Sequence, residues 1–112
     1  MSAPNLSDLA AVLDGLAAKG ELVSYGALAL KLAIPGPGSI AKLTSALEAL
    51  MADDAANNLP FRAALCRAKV GDGLPAAGFF DVAARLGRFD GHDAATFVTA
   101  ERTALFKAAG LQ

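Results

Sequence analysis

Val23-Ser24-Tyr25-Gly26-Ala27-Leu28-Ala29 leads through Ile34-Pro35-Gly36-Pro37-Gly38 into an apolar repeat of Ile40, Leu43, Leu47 and Leu50. Ser24 can cap a helix that carries Leu28 and Leu32 inward, and that helix must end before Pro35, whose ring has no amide proton to donate. Pro35 and Pro37, alternating with Gly36 and Gly38, make a turn with restricted φ at one position and free φ at the next. Ser39 then restarts the chain as a cap. From it Ile40, Leu43, Leu47, Leu50 and Met51 fall on one stripe, away from Lys42, Ser45, Glu48 and Asp53. Two short helices joined by a turn are expected, the arrangement that places one helix of a winged-helix fold in a DNA groove or against a protein partner.

Working outward, Leu6, Leu9, Leu13 and Leu16 repeat at helical spacing, with Ser7-Asp8 as cap and Gly20 as stop, which predicts a first helix over residues 7–18. Glu21-Leu22-Val23 reads as a small strand. Asn57-Asn58 stops the third helix, and residues 61–70, with no helical stripe but basic residues spread along them, read as a strand. Gly71-Asp72-Gly73 is a turn signal of the hairpin type, and Pro75 and Gly78 keep any return strand short or irregular. Residues 79–86 read as a fourth helix with Phe79, Val82 and Leu86 inward and Gly87 at its end. Asp93 caps a fifth, on which Phe97, Ala100, Ala104 and Phe106 supply a second aromatic patch. The expected fold is helix-rich α+β: one domain over residues 1–112, a winged helix-turn-helix core with two additional C-terminal helices.

The bulk numbers agree with a single domain. A chain of 112 residues can bury roughly two thirds of its unfolded surface. Hydrophobic residues make up 54%, but 27 positions are Ala and none is Trp, so Leu, Val, Ile and Phe spaced by small residues must build the core. No apolar run approaches the roughly 18–20 residues that span a bilayer, and the N-terminus lacks the pattern of a signal peptide, so a cytoplasmic protein without a membrane partner is expected. Ten Lys and Arg oppose eleven Asp and Glu, which leaves no overall positive field and counts against strong non-specific binding to nucleic acid.

Few residues suggest chemistry. Cys66, the single cysteine, excludes an internal disulfide and a cysteine-based zinc site within one chain. Arg62 and Arg67 could lower its pKa, but without a neighbouring base it reads as a small buried hydrophobe. His92, between Asp90 and Asp93, reads as part of a helix-capping loop. Asp53 and Asp54 read as a solvated helix end without the spacing of a calcium loop. Gly36, Gly38, Gly71 and Gly73 are turns, since none sits in a phosphate-loop pattern. A non-enzymatic role without cofactor or metal is expected.

The Val23–Ala29 segment resembles the V-S-Y-G-x-L-A segment of alkylguanine-DNA alkyltransferases and alkyltransferase-like proteins, in which it opens the helix before the recognition helix. The resemblance implies a winged-helix fold and DNA as partner. It implies no alkyl transfer: where that family carries Pro-Cys-His-Arg or Pro-Trp-His-Arg, this chain has Pro60-Phe61-Arg62, and where it carries an arginine finger the matching positions are Gly38, Ser39 and Ile40. Leu74-Pro75-Ala76-Ala77-Gly78-Phe79-Phe80 is also similar to a segment of small uncharacterised bacterial proteins.

Two functions follow. In the first, the third helix enters the major groove of double-stranded DNA: Ser39, Lys42 and Ser45, with Thr44, project from it, Lys31 stands on the preceding helix, and Arg62, Arg67 and Lys69 hold the backbone. Glu48, Asp53 and Asp54 oppose this reading by charge. In the second, the domain binds a protein partner or a second copy of itself through its C-terminal helices, residues 79–109.

Overall fold

The computed structural model describes residues 5–69 and 71–111. Among the described residues, five helices, a 3₁₀ turn and a two-stranded sheet follow in the order α1 (Leu6–Lys19), β1 (Val23–Ser24), α2 (Tyr25–Lys31), α3 (Ser39–Ala56), the 3₁₀ turn (Arg62–Leu65), β2 (Cys66–Arg67), α4 (Ala77–Arg85) and α5 (Ala94–Ala108). The helix-rich α+β class is as expected. No described helix is long and apolar enough to cross a membrane.

The helix ends explain why the expected boundaries hold. Each of the five helices closes with the same pair of bonds, in one of which an amide two or three residues past the helix end reaches back five positions. Glu21 donates to the Leu16 carbonyl at 2.9 Å, Ile34 to Ala29 at 3.1 Å, Leu59 to Asp54 at 2.8 Å, Arg88 to Ala83 at 2.9 Å and Leu111 to Phe106 at 2.9 Å. This geometry needs a left-handed residue just past the helix, supplied by Gly20, Asn58, Gly87 and Gly110. After α2 the position is Ala33, at φ 55°. At the other ends, Asp93 caps α5 as expected, its Oδ1 accepting the Thr96 amide at 3.1 Å. Asn5 rather than Ser7-Asp8 caps α1, accepting from Ser7 at 2.7 Å. Gly38 is the residue before α3, so Ser39 is its first helical residue and no side chain caps it.

The centre of the fold departs most from expectation. Residues 61–70 do not form a strand: Arg62–Leu65 is a 3₁₀ turn and only Cys66–Arg67 is extended, while Val70 lies outside the described residues. The reason is burial. Phe61, Ala63, Ala64, Leu65 and Cys66 are all core, and the turn is packed against α1, α3 and α5. A compact turn of small residues fills a space between three helices that an extended segment would overrun. β2 pairs in parallel with β1, in the register Val23↔Cys66 and Ser24↔Arg67, so it starts no hairpin. The Ala68 amide donates instead to the Leu74 carbonyl at 2.8 Å.

Two helix faces also differ. On α3, Leu43, Leu47, Leu50 and Met51 are buried as expected, but Ile40 is 46% exposed and Asp54, expected in solvent, is wholly buried. On α5, Val98 and Leu105 face inward with Phe97 and Phe106 half-buried, and Ala100 and Ala104 are exposed. The inward stripe is completed by Glu101 and Arg102, which satisfy backbone groups of the central turn. Glu101 Oε1 accepts the Phe61 amide at 2.8 Å, and Arg102 Nε donates to the Ala64 carbonyl at 2.7 Å.

Candidate nucleic-acid interface

Alternation along the parallel pair assembles one face of the molecule. Val23 and Cys66 point into the core, which turns their successors Ser24 and Arg67 outward, side by side at the head of α2. Ser24 Oγ accepts the Ala27 amide at 3.1 Å and so fixes the start of α2. Tyr25 reaches across the fold, its Oη accepting the Ala76 amide at 2.9 Å. Burial pushes the Tyr25 phenol above its ordinary pKa. Between these groups and the first turn of α3 lies a cavity of about 550 Å³, lined by Ser24, Tyr25, Gly26, Ile40, Arg67 and Lys69.

The sequence around this cavity is locally cationic despite a net charge of −1. Residues 22–47 hold Lys31 and Lys42 and no carboxylate; residues 55–71 hold Arg62, Arg67 and Lys69 and again none. Arg67 and Lys69 are exposed, and among the described residues neither forms an ion pair. Asp72 stands on the following loop, exposed, and Glu48 is half-buried on α3.

The seven residues expected to touch nucleic acid fall into three groups. Arg67 and Lys69 share the cavity wall with Ile40, next to Ser39 at the start of α3. Lys42 bends over the α2–α3 turn, its Nζ donating to the Pro35 carbonyl at 3.5 Å, with Ser45 exposed on the same helix and Lys31 exposed at the end of α2. Arg62 is elsewhere. Its side chain is 20% exposed and lies between two carboxylates, with Nη2 at 2.8 Å from Asp54 and Nη1 at 3.4 Å from Asp14. The 3₁₀ turn sets Arg62 against α1 and α3, away from the face on which Arg67 is exposed.

Three residues whose polar contacts hold the centre of the fold, Arg88, Glu101 and Arg102, went unread in the sequence. Arg88 donates to Glu101 Oε1 at 2.9 Å and to the Leu59 carbonyl at 3.0 Å, and its guanidinium stacks 4.2 Å above the Phe61 ring. Arg102 Nη2 donates to the carbonyls of Cys66 at 3.2 Å and Gly73 at 2.9 Å, pinning both ends of the loop after β2. The signal for Glu101 and Arg102 is their place between Val98 and Leu105, at the middle of an i, i+7 apolar stripe.

The other candidate groups differ sharply in exposure. Cys66 is fully buried, and loss of solvation pushes its thiol up to about 12. His92 is 88% exposed, with Nδ1 3.6 Å from Asp90. No cluster of three or more metal-ligating side chains exists among the described residues. Among the described residues the large exposed apolar side chains are Leu30, Ile40 and Leu59, all outside residues 79–109.

Comparison of the chain with protein-family models, with curated proteins and with solved structures finds no match.

Proposed function

We propose that this domain is a non-enzymatic DNA-binding module of the winged-helix type, with α2, the turn and α3 as its helix-turn-helix and the loop over residues 68–74 in the place of a wing. The observation that carries this reading is the carboxylate-free, cationic sequence on both sides of the cavity at the head of α2 and α3. The N-terminal half of α3 enters the major groove with Ser39, Lys42 and Ser45. Arg67 and Lys69 hold backbone phosphate from across the cavity, and Lys31 holds a second contact from α2. The similarity of Val23–Ala29 to the alkyltransferase-like proteins supports the same placement of α3. Arg62 is not part of this set, because its charge is already balanced by Asp54 and Asp14.

The test is fluorescence anisotropy of labelled duplex DNA at about 50 and about 200 mM salt. With Lys42 against the backbone at the groove edge beside Lys31, Arg67 and Lys69, four phosphate contacts give a slope of about −3.6 in log K against log salt, a loss of about a hundredfold over that range. Lys42→Gln and Arg67→Gln each reduce the slope by about one, whereas Arg62→Gln leaves it unchanged. No binding at the lower salt overturns the proposal.

A second reading, a protein-interaction or homodimerisation module, draws on Leu30, 83% exposed on α2. It requires a concentration-dependent mass in sedimentation that Leu30→Ser abolishes.

A further inference from the structure

The first two turns of α3 present an unusual surface for reading bases. Residues 39–45 are Ser, Ile, Ala, Lys, Leu, Thr and Ser, without Arg, Asn or Gln, and Lys42, which could pair with guanine, is turned back toward the Pro35 carbonyl at 3.5 Å. Ile40 and Ala41 are exposed there, while every other large apolar side chain of α3 is buried. Ile40 is held in that position by construction. Gly38 is the left-handed residue that starts α3, and the Lys42 amide donates back to its carbonyl at 3.0 Å. Arg67 and Lys69 line the same cavity as Ile40, so their charge and this apolar side chain are presented together.

We infer that Ile40 reads the C5 methyl of thymine, with Ala41 beside it, and that the domain prefers A·T-containing major grooves for this methyl rather than for a hydrogen-bonding pattern. The inference rests on the DNA-binding reading above and names what that site selects. The thymine methyl is the apolar group in the major groove, and removing a buried methyl from such a contact weakens binding about three- to fourfold.

Deoxyuridine differs from thymidine by this methyl alone, so the experiment compares an alternating A·T duplex with the matching A·U duplex, for the native protein and for Ile40→Ala. The expected result is binding to the A·T duplex at least threefold tighter than to the A·U duplex, and a ratio near one for Ile40→Ala. Because Ile40 is exposed, Ile40→Ala keeps the fold, which circular dichroism and an unchanged Tm verify. Equal affinity of the native protein for both duplexes overturns the inference and leaves DNA binding standing. So does a ratio that persists in Ile40→Ala, which assigns the preference to duplex shape. Failure to bind either duplex at low salt overturns both readings together.

Discussion

The carboxylate of Asp54 and the guanidinium of Arg62 meet at 2.8 Å at the end of α3, and the same carboxylate accepts the Arg62 backbone amide at 3.0 Å. Asp54 therefore joins the last turn of α3 to the first residue of the 3₁₀ turn while having no exposed surface of its own.

Removing this carboxylate leaves a partly buried guanidinium and an amide without their acceptor. Asp54→Ala is expected to lower stability by about 3 kcal/mol, and Tm by more than about 10 °C. Asp54→Asn keeps an acceptor for the amide and costs about half as much. Denaturant unfolding of both variants, with an unchanged m-value, is the check.

Arg102 ties α5 to three carbonyls, those of Ala64, Cys66 and Gly73. A lysine has the charge but not the planar fork, and cannot satisfy all three. Arg102→Lys is expected to cost about 1–2 kcal/mol. Hydrogen exchange locates the loss: the Ala68 amide, bonded to the Leu74 carbonyl at the base of the loop, exchanges faster than in the native protein, while amides in the middle of α3 keep their relative protection.

Ala33 occupies the left-handed position after α2 that Gly or Asn occupies after the other four helices. An alanine there carries a steric cost that glycine does not. Ala33→Gly should stabilise the domain by about 0.5–1 kcal/mol, read as a higher Tm. A lower Tm would mean that the α2–α3 turn carries no such strain.

Cys66 is held up to about 12 by burial, against 9.0 for an ordinary thiol. The folded state therefore keeps a proton that the unfolded chain gives up, so stability is intact below about pH 9 and declines as pH rises toward about 12. Tyr25, also raised by burial, acts in the same direction. Cys66→Ala should flatten part of this alkaline decline, measured as the guanidinium midpoint against pH. In the native protein at neutral pH the thiol should react with a disulfide reagent only as fast as the fold opens.

Local signals in the chain were enough to determine five helices, their order and most of their ends. Gly20, Asn58, Gly87 and Asp93 act on their immediate neighbours, and the stripe of Leu43, Leu47 and Leu50 has the helix period. Pairings between residues far apart could only be decided by the tertiary structure. Residues 61–70 look extended until three helices close around them, and Phe61 is then fixed by Glu101, 40 positions away. The same closure made Asp54 a buried acceptor, set Arg62 between Asp54 and Asp14 and, through the Ser24↔Arg67 register, brought Arg67 and Lys69 to the cavity that Ile40 lines. Caps and periodicity are short-range and written in adjacent residues. The candidate interface instead depends on which distant segments share the space between α1, α3 and α5.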